Sequence, residues 1–341
     1  MTTEPISGPT RDDFQSSNHV RWCPGCGDYA ILAQVQRTLP ELGIPRERFA
    51  VISGIGCSGR FPYYMNTYGF HTIHGRAAAV ATGLKASRPD LSVWVATGDG
   101  DALSIGGNHT MHALRRNIDI NILLFNNQIY GLTKGQYSPT SEVGKVTAST
   151  PMGSLDRPVW PLSLALGSNA TFIARTIDRE PKHMVDVLLR AAHHKGTSLV
   201  EVYQNCNIFN DKAFSHLTER TSKDAEQLRV EHGKPLLFDK GRKGIGFKNF
   251  QAVIIDVEKD GLDGVAIHDE QGPVAYHMAV AELRHPHFPT AIGVIRAVDG
   301  PVYDERMTAQ IDLAVKKKGR GELKALLAGE TTWRVHTTLD A

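Results

Sequence analysis

The chain reads as an α/β protein, a mostly parallel sheet with helices on both faces. Short, almost wholly apolar runs alternate with segments of helical length, the pattern of strands buried on both sides. Several of these runs stop on glycine, aspartate or asparagine. Leu91–Thr97 runs into Gly98-Asp99-Gly100-Asp101, and Ile118–Phe125 runs into Asn126-Asn127.

The elements follow in order. Asp28–Leu42 carries apolar residues at helical spacing and stops at Gly43; Phe49–Ser53 is a five-residue apolar run closed by Gly54. The alanine-rich 76–87 and the stretch 102–116 are read as helices flanking a strand at 91–97, with a further strand at 119–125. Helix 161–167, strand 171–174, helix 181–195 and strand 198–204 complete the alternation. Later strands are expected at 252–257 and 290–296, and a helix at 275–284. This divides the chain into an N-terminal arm (1–21), a binding domain (22–210) and a more polar C-terminal extension of the same subunit (211–341). The turn-rich 135–161 is read as a loop over a binding-site mouth.

Composition sets limits. A net charge of +2 gives no case for nucleic acid or an anionic membrane surface, and no apolar run is long enough to span a membrane. The opening Met-Thr-Thr-Glu-Pro lacks a basic-then-apolar signal, so a cytoplasmic protein with reduced thiols is expected. The basic Lys316–Arg320 reads as a solvated helix end.

In a parallel sheet the carboxyl ends of neighbouring strands lie together, so Asp99 and Asn127 can converge. A carboxylate and neutral oxygens suit Mg2+ bound to a diphosphate, while Gly98 and Gly100 admit phosphates close to the backbone. The helix expected from about Ala102 would add amide donors. The bland alternative is a strand-to-helix turn with a capping aspartate.

Four cysteines are present: Cys23 and Cys26 in Cys-Pro-Gly-Cys, then Cys57 and Cys206 singly, each after a strand. One Cys-x-x-Cys with two distant cysteines suits a four-thiolate iron–sulfur cluster better than a zinc ribbon, though zinc and inert burial of Cys206 stay open. Gly54-Ile-Gly56-Cys-Ser-Gly59 spells a dinucleotide fingerprint, but proline and aromatics follow it and no acidic residue comes before Asp90. It is read as a tight loop around Cys57.

Gly-Asp-Gly followed by Asn-Asn resembles the signature of thiamine diphosphate enzymes. With Cys-Pro-Gly-Cys-Gly-Asp28, Gly54–Arg60, His71–Arg76, Asn126–Gln136 and Asn205–Asp211, the chain resembles the β subunit of 2-oxoacid:ferredoxin oxidoreductases, most closely the 2-oxoglutarate branch. The resemblance runs from about Trp22 to Asp211, and the last fifty residues resemble the family only weakly. It implies Mg2+ on Asp99, Asn127 and the Ile129 carbonyl, and a 4Fe-4S cluster on Cys23, Cys26, Cys57 and Cys206. The cofactor would lie against Gly56, Cys57, Ser58, His74, Gly98, Asp99, Gly100, Asp101, Asn127, Ile129, Gly131, Leu132 and Thr133. The implied reaction is CoA-dependent oxidative decarboxylation of 2-oxoglutarate to succinyl-CoA with reduction of ferredoxin, reversible towards CO2 fixation.

Other implied readings are the same chemistry on pyruvate or another 2-oxoacid, or a non-redox thiamine decarboxylase. A dicarboxylic substrate needs its second carboxylate paired, and Arg60, Lys134 and His74 are the candidates. Members acting on pyruvate usually carry glycine at the position of Lys134. No second α/β half is present to carry the glutamate that activates the aminopyrimidine. An α subunit is therefore expected to supply it, in an αβ heterodimer or a dimer of heterodimers.

Overall fold

The computed structural model describes residues 8–249, 251–333 and 335. Its main sheet has eight strands: β1 (Phe49–Ser53), β2 (Tyr68–His71), β3 (Ser92–Gly98), β4 (Ile120–Asn126), β5 (Phe172–Ile177), β6 (Ser198–Tyr203), β7 (Gln227–Val230) and, late in the chain, β11 (Thr290–Ala297). Their order is β2-β1-β3-β4-β6-β5-β11-β7, and every pairing is parallel except β5 with β11. Three further strands, β8 (Leu237–Phe238), β9 (Lys243–Lys248) and β10 (Gln251–Asp256), form a small antiparallel sheet.

The helices are α1 (Asp28–Glu41), α2 (Ala77–Ser87), α3 (Asp99–Leu103), α4 (Gly107–Arg116), α5 (Pro161–Gly167) and α6 (Pro181–His193). Short turns α7 (Ser215–Thr218), α8 (Lys223–Glu226) and α9 (Val257–Asp260) precede α10 (Val274–Ala281), α11 (Tyr303–Lys318) and α12 (Leu323–Ala328). Among the described residues no helix is long and apolar enough to cross a membrane.

Alternate residues of each central strand enter different cores. Ala50, Ile52, Val93, Val95, Ile122 and Leu124 pack with α2, α4, α5 and α10. Phe49, Val51, Trp94, Leu123, Phe125 and Val200 pack with α1 and α6. Burial on both faces explains why these strands read as unbroken apolar runs.

Two sequence expectations are corrected. The helix over 102–116 is two helices: α3 starts at Asp99, and the chain breaks at Ser104–Gly106 before α4. Gly106 packs so closely on the Gly75 loop that a Cβ there would lie 2.4 Å from the Asp101 carbonyl. The residues after Cys57, read as a loop, form a 3-10 helix over Ser58–Tyr64. Strand β2 was not foreseen, because as an exposed edge it carries no buried stripe. The strand read at 252–257 is present as β10 in the small sheet, while β7 and β11 bring the C-terminal extension into the main one.

His183 on α6 donates to or accepts from Thr176 on β5 (2.8 Å), and burial, helped by the nearby Arg229 charge, lowers its pKa to about 4. The unfolded chain binds this proton first, so His183 costs stability as pH falls from about 6.5 to about 4. A His183→Gln variant should lose less stability than the parent across that window, measured as urea midpoints at stepped pH.

Candidate functional site

The carboxyl ends of β1, β3, β4 and β6 are consecutive in the sheet, and the loops leaving β1, β3 and β4 wall one cavity of about 620 Å³. Gly56, Cys57, Ser58, His74, Gly98, Asp99, Gly100, Asp101, Asn127, Ile129, Gly131, Leu132 and Thr133 all line it, with Asp28, Tyr130 and Tyr137. Gly100 lies under the Tyr130 ring, where a Cβ would come within 2.2 Å of a ring carbon, and Tyr130 donates its hydroxyl to the Gly100 carbonyl (2.9 Å).

Asp99 is only 2% exposed. Its Oδ2 accepts hydrogen bonds from the Ser138 and Thr140 hydroxyls, both at 2.5 Å, and among the described residues no Lys, Arg or His pairs with it. Burial raises its pKa to about 6 against those bonds. A carboxylate buried at a cavity wall without a cation suits a divalent metal. The Asn127 side chain accepts from the Ile129 amide (3.2 Å), and the Asn127 carbonyl accepts from Asn210 (2.9 Å). Ser58 Oγ and Asp28 Oδ2, both on the cavity, have no hydrogen-bond partner among the described residues. A polar ligand fits such a wall better than an apolar one.

Asp101 has a different task. Its Oδ1 accepts from the Ile55 amide (3.0 Å), His74 Nδ1 (2.7 Å) and the Gly75 amide (2.7 Å), while Oδ2 accepts from Thr97 (2.7 Å). It therefore ties the β1 loop and the His74 loop to β3 and has little capacity left for a ligand. Asp101 binds Nδ1, so Nε2 is the ring nitrogen left for a ligand. Gly54 is obligatory beside it, since a Cβ would sit 1.7 Å from Asp101 Oδ2.

The thiols gather behind the same wall. A Cβ on Gly131 would meet the sulfurs of Cys206 at 3.6 Å and Cys57 at 3.8 Å. Cys23 is exposed and Cys206 buried, with Cys26 and Cys57 between. Burial, with the Asp28 charge second, pushes the Cys57 thiol up to about 12 and Cys26 further. Asp28 is itself raised to about 7 by burial. Thiols held this way ionise only when iron or another cation offsets the charge, which fits a cluster. Among the described residues no three His, Cys, Asp or Glu groups converge tightly enough for a single metal ion.

Two predicted residues lie elsewhere. Arg60 is absent from the cavity wall; its Nε donates to Tyr64 (3.1 Å), its guanidinium covers the Tyr63 ring, and it lines a separate groove with Ser17 and His19. The 3-10 helix after Cys57 turns it outward. Lys134, at φ 74°, is exposed at the rim just past the lining residue Thr133 and has no ion pair among the described residues. Sequence reasoning missed Asp28, Ser138 and Thr140. The last two lie in the 135–161 loop, whose turn chemistry offered no sign of which hydroxyl would face Asp99.

This fold and this cavity define a thiamine diphosphate-binding domain. Residues 54–202 match the family model described as thiamine pyrophosphate enzyme, C-terminal TPP binding domain. The chain is 51% identical over 339 residues to 2-oxoglutarate oxidoreductase subunit KorB of Mycobacterium tuberculosis, covering 98% of this chain and 90% of that one. It is 46% identical over 190 residues to the β subunit of 2-oxoacid:ferredoxin oxidoreductase 1 of Aeropyrum pernix, over 56% of this chain and 60% of that relative. The 2-oxoglutarate:ferredoxin oxidoreductase of Magnetococcus marinus, solved with 2-oxoglutarate, coenzyme A and succinyl-CoA bound, superposes with a TM-score of 0.75 at 33% identity, over 94% of this chain and 95% of that one. The chain belongs to the KorB family of 2-oxoglutarate oxidoreductase subunits.

Asp101→Ala leaves four donors without their acceptor and should lower the free energy of unfolding by about 3 kcal/mol or more. Asp101→Asn, which keeps one oxygen acceptor, should lose less in the same urea titration.

Proposed function

We propose that this chain is the β subunit of a cytoplasmic 2-oxoglutarate:ferredoxin oxidoreductase. With an α subunit it converts 2-oxoglutarate, coenzyme A and oxidised ferredoxin to succinyl-CoA, CO2 and reduced ferredoxin. A strongly reducing ferredoxin would drive the reverse reaction, fixing CO2. The observation that carries this reading is that Cys57 and the uncompensated carboxylate of Asp99 face one cavity. An electron carrier on the thiols would then adjoin a diphosphate site, which neither a non-redox decarboxylase nor a structural zinc site needs.

Asp99, the Asn127 side-chain oxygen and the Ile129 carbonyl would hold Mg2+, neutralising the charge that burial leaves costly on Asp99. Thiamine diphosphate, when bound, supplies the nucleophile and the electron sink for decarboxylation. Cys23, Cys26, Cys57 and Cys206 would hold a 4Fe-4S cluster that passes single electrons outward to ferredoxin. His74, fixed by Asp101, turns its Nε2 towards the reacting groups. The α subunit supplies the pyrimidine-side glutamate and closes the cavity, in an αβ heterodimer or a dimer of heterodimers. Lys134, exposed at the rim, is the group for the distal carboxylate of 2-oxoglutarate.

Three results are expected. Purified without oxygen, the chain should be brown and contain about four irons and four sulfides; stoichiometric zinc in their place would remove the electron path. Asp99→Asn should stay folded, yet weaken Mg2+-dependent thiamine diphosphate binding by more than the roughly 10–100-fold typical of outer-shell changes, measured calorimetrically. Lys134→Ala should raise KM for 2-oxoglutarate about tenfold and leave 2-oxobutyrate almost unaffected. Equal effects on both substrates would sink the role given to Lys134.

A further inference from the structure

Gln204 is 1% exposed and directly follows β6, between the two groups of ligands. We propose that it couples them, so that binding of Mg2+–thiamine diphosphate raises the reduction potential of the iron–sulfur cluster. The inference rests on the reading above of Asn127 as a Mg2+ ligand and of the four cysteines as cluster ligands.

The hydrogen-bond directions along the path are fixed. The Ile129 amide donates to Asn127 Oδ1 (3.2 Å), which turns Asn127 Nδ2 towards Gln204. That nitrogen donates to Gln204 Oε1 (2.8 Å), so Gln204 Nε2 points the other way. Nε2 carries two hydrogens and has two acceptors, the Asn205 carbonyl (2.6 Å) and the sulfur of Cys26 (3.3 Å). Flipping either amide would set like groups against each other. The Cα of Gly27 packs against this chain of bonds, and a Cβ there would lie 2.9 Å from Gln204 Cγ and 2.1 Å from Asp178 Oδ2.

The sign of the coupling follows. A cation at Asn127 Oδ1 polarises that amide and makes its Nδ2–H a stronger donor to Gln204. Gln204 in turn becomes a stronger donor to sulfur, since bonded amides in a low-dielectric interior reinforce one another. An N–H bond to a ligand sulfur favours the more negative, reduced cluster and raises its potential. By linkage, reducing the cluster must tighten cofactor binding by the same factor. A cofactor-loaded site would thus make its own cluster the better electron acceptor.

The test is an EPR-monitored redox titration of the anaerobic αβ complex, with and without Mg2+–thiamine diphosphate. For the parent enzyme we expect cofactor to bind about fivefold tighter to the reduced than to the oxidised protein, equivalent to a rise of about 40 mV on loading. Gln204→Leu, with its iron and cofactor loading verified, should titrate lower than the parent and show no shift on loading. Gln204→Glu keeps an acceptor for Asn127 but offers sulfur no N–H. It should behave likewise, and it carries the test if the leucine variant does not assemble its cluster. A loading shift of parental size in either variant overturns the role of Gln204, as does a parent that binds both cofactors and shows no shift. A parent lacking iron or cofactor binding fails at the underlying assignment, and the coupling falls with it.

Discussion

The site is organised by the Asp101 carboxylate. It sits one turn into the segment after β3 and accepts four hydrogen bonds, from Ile55, His74, Gly75 and Thr97. The four donors come from three separate places: the loop after β1, the loop carrying His74 and Gly75, and the end of β3. One buried anion thus fixes the β1 loop that carries Cys57 and the loop that aims His74. Gly54 and Gly106 are glycines because the chain passes within contact distance of this knot. The neighbouring Asp99 has the same chemistry and a different environment: its side-chain partners among the described residues are the Ser138 and Thr140 hydroxyls, and burial still raises its pKa. Two acids two residues apart therefore differ: Asp101 is spent on architecture, and Asp99 is left for the metal proposed above.

Parallel topology explains why so much chemistry collects on one rim. In the order β1-β3-β4-β6 each strand leaves the sheet on the same side, so Cys57, Asp99, Asn127 and Cys206 arrive together from distant parts of the chain. Among the described residues neither Asp28 nor Asp99 has an ion pair. Both are pushed up by burial, as are the Cys26 and Cys57 thiols, and the two cations the sequence offered for the site, Arg60 and Lys134, are directed outward or left at the rim. A wall with this deficit is suited to metals.

The central strands and the lining residues were legible in the sequence because each rested on a local signal: an apolar run, a glycine, or a ligand-type residue at a strand end. Arg60 lies off the cavity wall because its position depends on the 3-10 helix that begins at Ser58, and a proline with aromatics does not announce that geometry. The break between α3 and α4 was missed because Gly106 is needed for contact with Gly75, a tertiary demand invisible in helix periodicity. Ser138, Thr140 and Gln204 carried no signal, since a hydroxyl or an amide becomes functional only through what faces it.

The C-terminal extension is tied into the site from behind. Arg175 and Glu201, both nearly inaccessible, pair at 2.7 Å across β5 and β6. Such a pair is tolerated only if its remaining polar atoms are satisfied. Arg175 donates to the Ala291 carbonyl of β11 (3.2 Å), and Glu201 accepts from Asn126 Nδ2 (2.7 Å). A carboxylate can only accept, so it fixes the Asn126 amide with Oδ1 facing the Thr140 hydroxyl (3.0 Å). The Thr140 hydroxyl also lies 2.5 Å from Asp99 Oδ2, so it bridges Asn126 and that carboxylate. The first asparagine of the Asn-Asn pair thereby connects β11 to the carboxylate that a metal would bind. The extension stabilises the sheet and also bears on the geometry of the site.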